Sequence, residues 1–503
     1  MEKVASEASP LVDGSSRRTT TWPLFVTVMP AILGYVVEFY DYGIYTCLTN
    51  EIELAMFGSD TSLEASTFVW RAFALGQACR PLGGVIIGWF ADRYGRRNAI
   101  IAATIGMGIG TIGLGCVPTQ RCCGNGWGVV GIVLVFFFRA LQGLSAAGEV
   151  AVVFTYAVEC APRHQTGLTI GIAAMAGTLG WVLGALISWL METALGENSD
   201  ALLDWGWRLP FLLSLPLSGA ILWMQLGLSE SGEFEKLVEQ TGQQAAGLPL
   251  TASEAPTASA AGAPKEELAK RAAKMKPKTT QPIFKDLWAH HKRVMAICTL
   301  LVGAPTALHY GTVVYAKDFL VASGVRTVSI AAQTNALMTA LTLVANLASG
   351  MLADRIGFLP LNVIVVALCV VLVYPSWCLL VAPSANAGFL GAALFAMLYG
   401  SSFVGLLGVS IGLFPVEYRA TGFGLTYNSA MLVFAAPAPL VSNALYEHIS
   451  AGVPDPQNLV INTVPAIVTS FGIVASVASL LWLYVSLRSG ALTTASHVRD
   501  EHF

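Results

Sequence analysis

Gly88-Trp89-Phe90-Ala91-Asp92-Arg93-Tyr94-Gly95-Arg96-Arg97 closes one long apolar run and opens the next. Half a chain later, Gly350-Met351-Leu352-Ala353-Asp354-Arg355-Ile356-Gly357 does the same. A membrane chain that repeats itself in this way reads as two similar halves, the architecture of secondary transporters.

Working outward, a helix needs about 20 apolar residues to cross a bilayer. The chain offers twelve candidates: 23–50, 66–91, 98–118, 127–158, 167–191, 207–228, 294–320, 330–353, 359–382, 387–414, 421–446 and 463–488. The expected fold is an all-α membrane protein of twelve transmembrane helices in two pseudo-symmetric six-helix bundles. The expected organisation is a tail at 1–22, a first bundle at 23–228, a largely disordered linker at 229–292, a second bundle at 293–488 and a tail at 489–503. The linker reading rests on its Ala, Pro, Thr and Lys content.

Only 12% of the 503 residues are charged and 55% are hydrophobic, whereas soluble domains carry about 25% charged residues. Most of the surface must therefore face lipid. A net charge of −3 gives no footprint for nucleic acid. The nine cysteines show no metal or disulfide spacing, and seven lie in apolar segments. Residues 1–22 are polar and the first apolar run is too long for a signal core, so no cleavable signal peptide is expected.

The loops at 51–65 and 192–206 carry Glu and Asp without Lys or Arg, while the alternate loops carry Arg93, Arg96, Arg97, Arg163, Arg355 and Arg419. The positive-inside rule assigns the second set, and with it both termini, to the cytoplasm.

An ionisable group at mid-bilayer costs about 2.5–3.5 kcal/mol on insertion scales and is a functional candidate by default. Span 1 holds Glu38 and Asp41 on one helical face. Span 2 holds Arg80, about 18 Å along the helix from Asp92. Span 4 holds Arg139 and Glu149, and span 7 holds His309, Tyr310 and Tyr315. These charges either neutralise one another as helix glue or surround a wet central cavity. Burial and a neighbouring Arg act on a carboxyl pKa in opposite senses, and such a balance is what proton loading requires. Arginines in such a cavity suit a substrate carboxylate. His309 fits a packing role and a proton-carrying role equally. No His-Glu-x-x-His, Gly-x-Ser-x-Gly or phosphate loop accompanies the charges, so no enzyme and no catalytic residue is expected.

The Gly-x-x-x-Asp-Arg-x-Gly-Arg-Arg segment resembles the signature loop of the major facilitator superfamily. Four further segments are similar to its metabolite:proton symporter family, which includes citrate, 2-oxoglutarate, shikimate and proline/betaine symporters. They are Gly34-x-x-x-Glu38-x-Tyr40-Asp41-Tyr42, Arg80-Pro81-Leu82-Gly83-Gly84, Gln142-Gly143-x-x-x-x-Gly148-Glu149 and Asp204-Trp205-Gly206-Trp207-Arg208-Leu209-Pro210-Phe211. The resemblance implies the major facilitator fold and rocker-switch alternating access. It implies a cytoplasmic gate at Gly88, Asp92, Arg93, Gly95, Arg96, Arg97, Asp354 and Arg355, partnered by Glu159, Arg163, Glu417 and Arg419. The second loop continues Gly357-Phe358-Leu359-Pro360, without paired arginines, so the lock is expected to be asymmetric.

Proton coupling is assigned to Glu38, Asp41 and Glu149. Substrate binding is assigned to Arg80, Arg139, Tyr45, Gln142, Tyr310, Tyr315, Tyr427 and Asn428. No cofactor beyond the coupling proton is expected. The primary expectation is a proton symporter of a small organic acid such as a di- or tricarboxylate. The alternative is a proline or glycine-betaine type zwitterion, its cationic nitrogen against tyrosine faces. A non-transporting receptor or scaffold is the alternative of another class. The expected setting is a functional monomer in the plasma membrane, with an internal membrane as the other option on account of Glu7-Ala8-Ser9-Pro10-Leu11-Val12, an acidic dileucine-type pattern.

Overall fold

The computed structural model describes residues 21–57, 63–196, 199–245, 283–435, 437–450 and 463–489. Residues 1–20 and 490–503 of the two tails, 246–282 of the linker and the side chain of Arg163 lie outside the described residues.

The first bundle comprises α1 (Thr21–Cys47), α2 (Leu63–Tyr94), α3 (Arg96–Gly115), α4 (Asn125–Cys160), α5 (Thr166–Leu195) and α6 (Arg208–Gln225). The second begins with α7, which runs Ile283–Leu301, Gly303–Leu308, a wide turn His309–Val314 and Ala316–Ala322. It continues with α8 (Val328–Ile356), α9 (Phe358–Val381), α10 (Ala385–Gly412), the interrupted α11 (Arg419–Ala430, Met431–Ala435, Pro437–Ser450) and α12 (Val464–Arg488). Among the described residues, nine of these spans are long and apolar enough to cross a membrane by length and composition alone. The other three are α1 and α2, which carry Glu38, Asp41 and Arg80, and the interrupted α11.

The repeat is visible in the backbone. Gly95 between α2 and α3 has φ 99°, and Gly357 between α8 and α9 has φ 88°. Only glycine enters that region without strain, so both copies of the loop turn on it.

The halves meet along two helix pairs, α2 against α11 and α5 against α8. Small residues let the backbones close. A Cβ on Gly88 would lie 2.7 Å from Thr421 Cα, and one on Gly171 would lie 2.7 Å from the Asn346 carbonyl oxygen. These close approaches lie toward the face that carries the repeated loops, here called the gated face. Toward the opposite face, a vestibule lined by Thr49, Glu192, Lys317 and Asn335 separates the bundles.

Two features add to the expected boundaries. The helix of span 7, expected to cross from 294, starts earlier, at Ile283. The linker, expected to be largely disordered from 229, opens with a helix, Gly232–Ala245. Its polar composition suggested disorder, but Phe234 is buried under the gated face and anchors it.

Candidate functional site

Glu38, Asp41, Arg80 and Arg139 are all at most 2% exposed. A helix presents Glu38 and Asp41 on neighbouring positions of one face, yet tertiary packing separates them into two groups. Arg80 Nη2 lies 3.5 Å from Glu38 Oε1. Its Nη1 donates to the Tyr42 hydroxyl at 2.8 Å, and its Nε donates to Asn428 Oδ1 at 3.1 Å, across the bundle interface. Asn428 in turn donates to the carbonyls of Gly424 and Ala147. This first group therefore ties α1, α2, α4 and α11 together.

In the second group, Arg139 Nη1 donates to Asp41 Oδ2 at 3.1 Å and to Gln142 Oε1 at 2.8 Å. Gln142 Nε2 donates to Asp41 Oδ1 at 2.8 Å and to the Thr111 hydroxyl. The guanidinium carbon of Arg139 sits 3.3 Å from the ring centroid of Tyr45, and the Tyr45 hydroxyl donates to the Val69 carbonyl. This group lies wholly inside the first bundle.

A narrow central chamber lies between the bundles. Arg80 is the arginine on its wall; Arg139 is not among the lining residues. The rest of the wall is largely aromatic: Phe39, Tyr42, Trp181, Tyr310, Phe403 and Tyr427. His309 and Tyr399, with ring centroids 4.8 Å apart, border this chamber and a smaller one beside it. Tyr310 and His309 belong to the wide turn of α7, and Met431, also on the wall, opens the wide turn of α11. Both interruptions of regular helix thus face the chamber, as such turns often do at functional sites.

Of the residues assigned to substrate, Arg80, Tyr310 and Tyr427 line this chamber, and Asn428 reaches it through Arg80. Arg139, Gln142 and Tyr45 form the adjoining group. Tyr315 is buried away from it beside Phe319, with ring centroids 5.7 Å apart. Tyr40 donates to the Pro210 carbonyl at 2.8 Å and packs helices. Glu149 lies beside Gly34, one turn of α1 from Glu38 and close enough for the two carboxyls to repel each other. Arg71 is exposed. Tyr42, in the quoted Glu38 segment and one turn beyond Glu38, was legible as a neighbour; Trp181 and Tyr399 carried no distinguishing signal. Among the described residues, no cluster of three His, Cys, Asp or Glu side chains could hold a metal.

At the gated face, Asp92 accepts the main-chain N–H groups of Ala420 and Thr421 at 3.2 and 2.8 Å, at the start of α11. Asp354 accepts those of Gly167 and Leu168 at 2.6 and 2.8 Å, at the start of α5. Each carboxylate meets the positive end of a helix in the other bundle. Arg96 grips Glu159 through Nε and Nη2, both at 3.0 Å, and donates to the Val416 carbonyl across the interface. Arg419 donates to Glu159 at 3.2 Å and to Glu233 of the linker helix at 2.6 Å. Arg97 donates to the Leu226 carbonyl, and Arg93 stacks on Trp89 and Tyr94. Arg355 and Glu417 are exposed. In the second copy, Phe358 occupies the position of Arg96 and packs against Gly408, so the arginine that grips Glu159 has no counterpart at that position.

Three linker residues belong to this gate and escaped sequence reading. Ser231 donates to Glu159 at 2.5 Å, and Glu233 pairs with Arg419. Glu230 accepts the main-chain N–H groups of Arg96, Arg97 and Ser231. Burial pushes the Glu230 carboxyl above its ordinary value; those N–H groups and Arg96 oppose the shift without cancelling it.

A family model described as "Sugar (and other) transporter" matches residues 26–482. Similar proteins include an ectoine/proline transporter of Corynebacterium glutamicum, 28% identical over 439 residues, covering 84% of this chain and 79% of the relative. A glycine betaine/proline/ectoine/pipecolic acid transporter of Dickeya dadantii is 27% identical, covering 84% and 77%. A citrate-proton symporter of Salmonella typhi is 24% identical, covering 84% and 87%. Among solved structures, the proton:xylose symporter XylE bound to 6-bromo-6-deoxy-D-glucose has a TM-score of 0.64 at 17% identity, covering 92% of this chain and 95% of that one. At that identity the likeness speaks for the fold alone.

Proposed function

Because this chain belongs to the sugar (and other) transporter family of the major facilitator superfamily, membrane transporters and not enzymes, we propose that it is a proton-coupled symporter of a small zwitterion with one carboxylate, of the proline or glycine-betaine type. The observation that carries this reading is the composition of the central chamber: one guanidinium, Arg80, in a wall of aromatic rings. A carboxylate would take the bidentate donors of Arg80. A cationic nitrogen would lie against the faces of Trp181, Tyr310 or Tyr427. Two relatives carry such solutes by name.

Glu38, paired with Arg80, is the coupling group nearest the substrate, with Asp41 behind it. Protons are the coupling ion, and no other cofactor is needed. Substrate carboxylate competing with Glu38 for Arg80 would link substrate binding to the protonation of Glu38. The halves rock about the chamber while the Asp92 and Asp354 caps make and break at the gated face, which we assign to the cytoplasm with both termini. We assign the protein to the plasma membrane as a functional monomer.

A second reading, a di- or tricarboxylate, draws on His309, which would become a second cation on the chamber wall when protonated, and on the citrate-proton relative. The deciding experiment is uptake into proteoliposomes of proline, glycine betaine, citrate, 2-oxoglutarate and shikimate, with and without an inward proton gradient. Accumulation of proline or betaine that is lost in Arg80→Ala, with counterflow exchange of the same solute retained in the paired Asp41→Asn/Arg139→Gln protein, supports the zwitterion. Gradient-driven citrate or 2-oxoglutarate uptake without zwitterion uptake replaces it with the organic acid.

A further inference from the structure

At the face opposite the gate, α3 and α4 are joined through a short helix, Gln120–Cys123, which ends in two adjacent cysteines. Both thiols are exposed. The main-chain N–H of Thr119 donates to Cys122 Sγ at 3.4 Å, and the main-chain N–H of Cys122 donates to the Thr119 hydroxyl at 3.3 Å. Arg208, at the start of α6, directs Nη2 at the same sulfur from 3.9 Å and donates through Nη1 to the Gly115 carbonyl at 3.0 Å. The Cys123 thiol donates to that sulfur as well. One exposed sulfur is thus met by a backbone N–H, a guanidinium and a second thiol. The thiolate is the nucleophilic form of cysteine, and such surroundings favour it.

We propose that Cys122, supported by Cys123 and Arg208, is a reversible thiol-modification site that takes a low-molecular-weight disulfide of the glutathione class. The Cys122 thiolate attacks one sulfur of the disulfide. A new S–S bond forms to Cys122 as the old one breaks, and the departing thiolate takes a proton from solvent. Cys122 is oxidised and the departing half is reduced, so no further oxidant is needed. An external thiol reverses the step by the same exchange. Cys123 supports the thiolate and does not resolve the adduct. Adjacent Cα atoms lie about 3.8 Å apart, closer than the roughly 4.4–6.8 Å of an ordinary disulfide. The mixed disulfide therefore lasts until a thiol arrives.

The surroundings set both the reactivity and its consequence. Burial on its own would raise the Cys122 thiol, but the Cys123 thiol, Thr119 and Arg208 outweigh it and bring it down to about 7. Cys123 itself is held up, chiefly by donating to Cys122. Arg121 of the same turn is paired with Asp200 and Asp204, which precede α6. The helix Thr49–Phe57, which packs on the turn, carries Glu51 and Glu53. α4 brings no charge before Arg139. Thr49 also lines the vestibule, and Arg208 ties the end of α3 to α6. An adduct on Cys122 pushes into this junction and slows passage through the vestibule. With the gated face assigned to the cytoplasm, the turn faces the outside, where disulfides persist. The inference does not depend on which solute the chamber takes.

The test is reaction of the purified full-length protein with oxidised glutathione and, separately, with iodoacetamide, each adduct being located by peptide mass spectrometry. The expected site is Cys122, in preference to Cys47, Cys116 and Cys123, which are also exposed. Its alkylation rate should rise with pH around a midpoint of about 7, against about 8.5 for an ordinary thiol. Cys123→Ala should keep the reaction and move that midpoint up. Arg208→Lys, which keeps a charge, should move it up less than Arg208→Gln. Cys122→Ser should lose the glutathione adduct. In proteoliposomes the adduct should slow uptake of whichever solute the protein carries, with recovery on adding dithiothreitol and no effect in Cys122→Ser. The proposal is overturned if glutathione attaches elsewhere and spares Cys122, if Cys122 alkylates with the midpoint of an ordinary thiol, or if uptake is unchanged by the adduct. Adduct position and midpoint are read without transport, so failure of the zwitterion reading leaves them intact.

Discussion

Asp92 accepts the main-chain N–H of Thr421 at 2.8 Å and its hydroxyl at 2.7 Å, so a carboxylate of one bundle caps a helix of the other. Asp354 repeats the arrangement in the opposite direction on Gly167 and Leu168. Closure of the gated face therefore rests on two reciprocal caps, with the Arg96–Glu159–Arg419 clamp added on one side.

Replacing Asp92 by Asn keeps the size but removes the charge that meets the helix end. Hydrogen bonds to charged groups are worth about 1.5–3 kcal/mol, so closure should weaken by about ten- to a hundred-fold. We expect Asp92→Asn to slow proteoliposome uptake strongly while equilibrium substrate binding persists. Transport at the wild-type rate would remove Asp92 from the gate.

The Asp41–Arg139 pair should behave as one unit. Arg139→Gln strands a buried carboxylate at a cost of about 3–5 kcal/mol. Asp41→Asn/Arg139→Gln should recover part of that loss, visible as a higher melting temperature than Arg139→Gln alone. Strictly additive effects of the two changes would mean that the contact carries no coupling.

Glu38→Gln cannot exchange a proton at the position that shares Arg80 with the chamber. It should lose accumulation driven by a pH gradient and keep counterflow exchange of labelled substrate. Asp41→Asn should show the same split in weaker form. Normal accumulation by both proteins would move proton coupling elsewhere.

The linker latch should depend on pH through Glu230. Its carboxyl is raised above the ordinary value of 4.5 when docked, chiefly by burial. A raised carboxyl favours the docked state when protonated, so docking is strongest below about pH 4.5 and weakens as pH rises through the raised value. Tryptic cleavage after the exposed Lys236 should accelerate over that rise, and Glu230→Gln should flatten the dependence. Glu233→Ala, which frees one side of Arg419, should accelerate cleavage at every pH. Cleavage in Glu230→Gln that keeps the wild-type pH profile would assign the dependence to another group.

Much of the architecture was legible because local rules govern it. The repeated loop and the charge asymmetry between its copies were readable along the chain. The linker helix was not, because a polar amphipathic segment resembles disorder until its one apolar anchor, Phe234, finds a surface. Glu230, Ser231 and Glu233 went unnoticed for the same reason: their partners are remote in sequence.

The buried charges mark the boundary between the two levels. A segment that crosses a bilayer must be long, apolar and internally hydrogen-bonded whatever surrounds it, so the spans, the repeat and the identity of the buried ionisable groups follow from the chain alone. Arg80 and Arg139 are equivalent at that level, each a lone cation deep in an apolar helix. Only packing assigns Arg80 to the chamber with Asn428, 348 positions away, and Arg139 to Asp41, Gln142 and Tyr45. Only packing sets Glu149 beside Gly34 and Thr104. Helical periodicity gives a residue's direction relative to its own axis, whereas its function depends on which other helix that direction meets.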